Sequence, residues 1–244
     1  VGISEYKKVI QNLDFADRDA IELEKVFRSQ EGKLFSKVNT KVLVNDNATA
    51  RDVQIQMNEF LNQAKAEDTV IVFIAGHGVQ DSNQNLYFMA HDSDLRKPYT
   101  GVQVEDFKNF LEQRPINQKA IFLLDICHAG SVNDQGNKGR IASEYVVKKL
   151  MEGTATTVFA SSTGAQQSLE DESFGGGHGA FTFALIEALK GQGDKVVGDE
   201  DGYTSLLELI TYTMKEVPKI TKQAQRPVFP TMVDFKDYPL SKTN

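Results

Sequence analysis

The sequence predicts an α/β fold, a three-layer sandwich whose mostly parallel central sheet is flanked by helices. Two observations carry that expectation. Short apolar runs recur at residues 69–74 (TVIVFI), 120–124 (AIFLL) and 156–160 (TTVFA). Near-continuous runs of this length mark strands buried on both faces of a parallel sheet. Segments with apolar residues at helical spacing lie between them, and such alternation puts helices on both sides of the sheet.

In chain order, residues 1–3 end a first strand. Residues 16–27 carry Ala16, Ala20, Leu23 and Phe27 at helical spacing. Residues 41–44 (KVLV) form a strand, and 49–64 a helix with Val53, Ile55, Met57, Phe60 and Leu61 as its apolar positions. After the strand 69–74, residues 86–89 (LYFM) form a hairpin arm beside the sheet, and 104–111 begin a helix. The strand 120–124 leads into a polar, anchor-poor stretch, 131–140 (SVNDQGNKGR), read as an exposed loop. Residues 145–151 look helical and 156–160 are another buried strand. Residues 174–179 (FGGGHG) form a flexible turn, and 180–189 a helix closed by Gly191. Residues 205–217 form a last helix, with Ser205 and Glu208 at capping-box spacing.

The 244 residues, 40% hydrophobic and 25% charged, suffice for one domain with a full core, and a single domain over 1–244 is expected. The start at Val1-Gly2-Ile3 without Met is that of a chain trimmed from a longer one. A formal charge of −7 argues against nucleic acid as a partner and suits a basic peptide. One cysteine excludes an internal disulfide and a Cys-based zinc site, and fits a reducing, cytoplasmic setting. No segment approaches the ~20 apolar residues of a membrane span, so no membrane partner is expected.

Two of the buried strands deliver chemistry into loops. One leads to Ala75-Gly76-His77-Gly78, the other to Asp125-Ile126-Cys127-His128-Ala129-Gly130. The C-terminal end of a parallel strand is a usual place for a site. A cysteine nucleophile needs a base or cation nearby, because the thiolate attacks and free Cys is only a few per cent ionised at neutral pH. Glycines beside a catalytic group permit close backbone approach and leave N–H groups for an oxyanion. Against this, a lone Cys is most often a small buried hydrophobe and a lone His is usually structural.

At these residues the sequence resembles the caspase-like cysteine peptidases, and among them the metacaspase and bacterial branch. The resemblance rests on FIAGHGVQD around His77 and LLDICHAG around Cys127. VGISEY with LDFADRDAIELEKVF, FASSTGAQQSLED with GHGAFTFALIEAL, and QRPVFP agree with it in the family's order. The Gln-Ala-Cys signature of animal caspases is absent. The resemblance implies peptide-bond hydrolysis by a Cys127–His77 dyad, with the backbone N–H groups of Gly78 and Cys127 as the oxyanion hole. His128 is read as a structural member of the motif, and His91 and His178 as surface or loop residues.

Asp125 precedes Cys127 by two positions and faces the same side of an extended strand end. In metacaspases the matching aspartate helps form a pocket for Arg or Lys, and Asp19 matches a second acid of that pocket. A guanidinium pairs with a carboxylate in bidentate fashion. Asp19 also reads as an exposed acid favoured at a helix start, and Glu170 as either a third pocket acid or a solvated residue. Ala75 stands where many metacaspases have Ser. The expected substrate is a protein or peptide with a basic residue before the scissile bond, Arg first and Lys second.

No cofactor is needed for the chemistry. The family includes calcium-activated members, and Asp92, Glu105, Asp106 and Asp134 roughly match their acid cluster, though each also reads as an ordinary loop or helix-start acid. Residues 198–202 (GDEDG) are a weaker calcium candidate, since alignment to an EF-hand puts Val197 at the first ligand position; a turn into a capped helix is the better reading. Lys138 and Arg140, in the loop where family members are often cut, are candidate self-cleavage points. Two alternatives stand beside the peptidase: a catalytically silent caspase-like scaffold, and a Cys–His amidase acting on non-peptide substrates.

Overall fold

The computed structural model describes residues 1–8, 10–83, 85–113, 119–128, 156–162, 168–229 and 235–243. The predicted loop 131–140 and helix 145–151 lie outside them.

The central sheet has five strands: β1 (Val70–Gln80), β2 (Leu86–Phe88), β3 (Val102–Gln103), β4 (Ala120–His128) and β5 (Thr156–Ala160). Their order is β3-β2-β1-β4-β5. β1, β4 and β5 are parallel, and β2 and β3 add an antiparallel edge. The sheet thus has the mostly parallel character expected, with 86–88 as the hairpin arm.

Alternation along β4 divides the core. Ile121 and Leu123 pack with Leu23, Phe181, Leu185, Leu209 and Ile210 on one side of the sheet. Phe122 and Leu124 pack with Val53, Met57 and Phe107 on the other. The first side is covered by α1 (Ala16–Arg28), α4 (Ala180–Glu187) and α6 (Leu206–Ile220), the second by α2 (Ala50–Leu61) and α3 (Val104–Glu112). This is the predicted three-layer sandwich. The helix starts are specified locally. Thr49 accepts from Asp52 N at the head of α2. Ser205 and Glu208 form the expected capping box on α6.

Two local expectations are corrected. Residues 1–3 and 41–44 make single bridges, Gly2 to Val44 and Gly2 to Ala75, rather than full strands. The ladder stops because the Asn45 side-chain oxygen takes the N–H groups of Ser4 and Glu5. Gly191 ends the helix begun at Ala180, as expected: its φ of 107° breaks the chain direction, and a separate short helix, α5 (Gly193–Val197), follows. The stretch 174–179 is part of a small hairpin, in which β6 (Glu170–Asp171) pairs antiparallel with β7 (His178–Gly179). A further hairpin pairs β8 (Tyr203–Ser205) with β9 (Pro239–Lys242).

Candidate active site

β1 and β4 run in parallel register to their ends, with His77 opposite Cys127 and Gly78 opposite His128. Close approach is possible there because residue 78 is glycine; a Cβ at that position would run into the Ile126 side chain.

His77 is buried and held from several sides. Its backbone N–H donates to Tyr6 Oη at 2.8 Å, and the Tyr6 ring packs against the imidazole with centroids 5.1 Å apart. Its carbonyl accepts from Met89 N at 2.8 Å. Its Nε2 lies 2.8 Å from the Gln11 carbonyl oxygen. A carbonyl only accepts, so the contact assigns the proton of the neutral ring to Nε2 and makes Nδ1 the basic nitrogen.

On the α1 and α4 side of the sheet, the acids proposed from sequence come together. Asp125 is buried and accepts from Ser168 Oγ and Thr182 Oγ1, each at 2.7 Å. Asp19, 1% exposed, is no surface acid. Its Oδ1 lies 2.7 Å from His178 Nδ1, and its Oδ2 accepts from Gly179 N at 3.0 Å. A Cβ on Gly179 would stand 3.0 Å from Asp125 Oδ2 and 3.0 Å from Asp19 Oδ2, so both carboxylates converge on the one residue of β7 without a side chain. Glu170, on β6, accepts from Asp14 N at 2.8 Å and completes the group.

Burial raises all three. It pushes Asp125 up against the pull of the Ser168 and Thr182 hydroxyls. Asp19 is raised well above its ordinary value by burial and then by Asp125. Glu170 is pushed up to about 7, chiefly by burial, with Asp125 adding to it. Among the described residues no Lys or Arg forms an ion pair with any of them. Arg18, next to Asp19, instead donates to the Gly176 carbonyl at 2.7 Å. Two buried acids and a half-buried one, with no Lys or Arg paired to them among the described residues, are a site that gains from receiving a cation.

The proposed calcium set is not gathered by the described residues. Asp92 Oδ1 accepts from Ala50 N at the head of α2, Glu105 and Asp106 sit in the first turn of α3, and Asp134 lies outside the described residues. Among the described residues one group of three carboxylates has oxygens within 4.8 Å of one another: Asp194, Asp199 and Asp201. There both oxygens of Asp194 accept backbone N–H groups, from Asp201 and Gly202, which closes the turn before β8. Lys138 and Arg140 also lie outside the described residues.

Sequence reading missed part of the site. His178, taken for a loop residue, is buried against Asp19. Its setting in GGGHGA has the same small-residue framing as His77, which was the available signal. Thr182, Ser168, Tyr6 and Gln11 act through contacts with distant residues, and no local pattern marks them. Gln225 belongs with them: fully buried, it donates to the Ser161 carbonyl and accepts from Leu169 N, fixing the segment that carries Ser168. His91 is a loop residue, as expected, with Nδ1 2.7 Å from the Glu5 carbonyl.

The sequence profile of the caspase domain (Peptidase C14) matches residues 1–238. The chain belongs to that family. Membership supports a cysteine-peptidase type of function and protein substrates. No curated protein matches the caspase-domain chain in sequence. Among solved structures it is similar to the protein GSU0716 from Geobacter sulfurreducens, with a TM-score of 0.59 and 12% identity, covering 100% of this chain and 92% of that one. That likeness concerns the fold. No helix among the described residues is long and apolar enough to cross a membrane.

Proposed function

We propose that this caspase-domain chain is an endopeptidase that hydrolyses peptide bonds after basic residues, Arg before Lys, through Cys127 and His77. The observation that carries the reading is the convergence of Asp19, Asp125 and Glu170, without a basic partner among the described residues, at the strand end that leads to Cys127. The register of His77 with Cys127 supplies the second support.

In this mechanism the arginine side chain before the scissile bond enters the acid group. Cys127 loses its proton to His77 Nδ1, since Nε2 is committed to the Gln11 carbonyl. The thiolate attacks the carbonyl carbon, and the oxyanion is held by the N–H groups of Gly78 and Cys127. The C–N bond breaks as His77 Nδ1 returns the proton to the leaving amine, which leaves a thioester on Cys127. Water, deprotonated by His77, then attacks the thioester, releases the acid and restores the thiol. No step passes through a metal.

Matched fluorogenic peptides with Arg, Lys or Asp before the scissile bond test the reading, against a Cys127→Ala control. Rapid Arg and Lys cleavage that the control loses is the expected result. Asp preference, or turnover of a non-peptide amide alone, overturns it. Arms with calcium and with chelator decide whether calcium activates. Self-cleavage after Lys138 or Arg140 is part of the proposal, and intact-mass analysis of the active and Cys127→Ala chains tests it.

A further inference from the structure

The reading above leaves unused a buried imidazole in contact with Asp19. We propose that His178 is the positioning residue of the substrate pocket, fixing the Asp19 carboxyl beside Asp125 without adding a competing positive charge. This rests on the basic-residue reading and deepens it.

The geometry is specific. Consecutive residues of β7 hold both oxygens of Asp19: His178 Nδ1 at 2.7 Å from Oδ1 and Gly179 N at 3.0 Å from Oδ2. The His178 ring stacks on Phe183, with centroids 6.5 Å apart and planes at 28°. Asp19 can therefore rotate only by breaking one of these two bonds. A buried carboxylate next to a second one tends to take up a proton, and a protonated Asp19 would bind a guanidinium poorly. An N–H donor opposes that proton uptake. Lys or Arg in the same place would also oppose it, but would neutralise the pocket before substrate arrived. A neutral imidazole donates without that charge. Burial, followed by the nearby Arg18, holds His178 below its ordinary range, which keeps it neutral at neutral pH. The charged groups facing it are Arg18 and Glu22 on α1, Glu187 on α4 and Lys190 in the kinked turn after it, with Asp19 in direct contact.

The test compares wild type, His178→Phe and His178→Asn on the Arg peptide across pH 5.5–8.5. Phe keeps an aromatic ring and removes the donor; Asn keeps an N–H near the Nδ1 position and cannot titrate. Alkylation of Cys127 by iodoacetamide, which has no basic group, reports the dyad independently. The expected result is a KM about tenfold or more higher in His178→Phe, the size of one hydrogen bond to a charge. Its kcat and alkylation rate should stay within about twofold of wild type, and His178→Asn should recover most of the loss. An acid limb in wild-type 1/KM should shift in His178→Asn. An unchanged KM in a folded His178→Phe, or equal losses in kcat, KM and alkylation, would overturn the inference and leave His178 a structural residue. Wild type that cleaves neither Arg nor Lys peptide would instead remove the basic-residue reading, and this inference with it.

Discussion

His77 and Cys127 occupy paired positions in the parallel ladder between β1 and β4. They are far apart in sequence and one strand spacing, about 4.8 Å, apart in the sheet. Parallel strands need a crossover between them, so neither residue could reach the other through local structure. The register is set instead by the apolar run of each strand, where a slip of one residue would turn Ile121 and Leu123 toward the wrong helices.

If the pair acts as a unit, Cys127→Ala abolishes cleavage of the Arg peptide and His77→Ala lowers kcat by about a thousandfold or more. The double variant should be no worse than Cys127→Ala alone. Steady-state rates on purified, folded variants check this; additive losses would mean the two residues act separately.

Tyr6 holds His77 from the backbone, so Tyr6→Phe removes the acceptor of a buried N–H. The expected cost is about 1–3 kcal/mol of stability. On the proposal that His77 is the base, kcat should fall with little change in KM. Urea denaturation and peptide kinetics on the same preparation measure both.

Gly179→Ala addresses the other half of the site. The residue has φ −67° and ψ 139°, which alanine adopts freely, so backbone strain plays no part. The added methyl meets Asp19 and Asp125 at 3.0 Å each and must push at least one carboxylate aside. KM for the Arg peptide should rise about tenfold. Stability should fall by no more than about 1 kcal/mol, the difference between glycine and alanine at a helix N-cap. Unchanged KM would mean that the two carboxylates do not contact substrate together.

The sheet was legible in the sequence because buried parallel strands leave continuous apolar runs, but β1 and β4 continue past those runs and carry His77 and Cys127, which the sequence placed in loops, within the strands. The acid group was legible only in part. Asp19 lies at a helix start, where an acid is favoured whether or not anything covers it; its burial comes from β7, contributed by His178 and Gly179 about 160 positions later. The same separation hid His178. Gly191 was legible for a different reason: glycine is free to take the positive φ that breaks a helix, and the carbonyls of Ala188 and Leu189 there are taken by Thr204 and Ser241. Local rules set the elements, and long-range contacts set the charges.

Asp125→Asn separates charge from shape. Thr182 and Ser168 hydroxyls can rotate to serve either the amide oxygen or the amide N–H, so the fold should persist. Loss of a buried charge facing a guanidinium should lower kcat/KM for the Arg peptide by about a hundredfold, while iodoacetamide still alkylates Cys127 at the wild-type rate. Asp125→Ala should also lose stability, by about 1–3 kcal/mol, because both hydroxyls then face an apolar side chain. Equal activity of Asp125→Asn and wild type would exclude Asp125 from basic-residue recognition.

Glu170 ties the pocket to stability. Its carboxyl is raised from an ordinary 4.5 to about 7 in the folded chain. Between those values the folded state holds a proton that the unfolded state has released, so stability falls as pH rises from about 4.5 to 7 and the cost is complete above that range. Asp19 and Asp125, both raised, act in the same direction, while His178, lowered by burial, acts in the opposite one. Comparison with Glu170→Gln cancels these shared contributions. The full shift corresponds to about 3 kcal/mol, and partial solvent access reduces the expected effect to about 1–2 kcal/mol. Glu170→Gln should therefore gain stability relative to wild type as pH is raised from 5 to 8, read by denaturant unfolding at each pH. A guanidinium compound that fills the pocket should erase the gain at pH 8, because a bound cation gives the charged Glu170 a partner that none of the described residues supplies. A stability difference between variant and wild type that stays constant across this range would place Glu170 in solvent and reduce the pocket to Asp19 and Asp125.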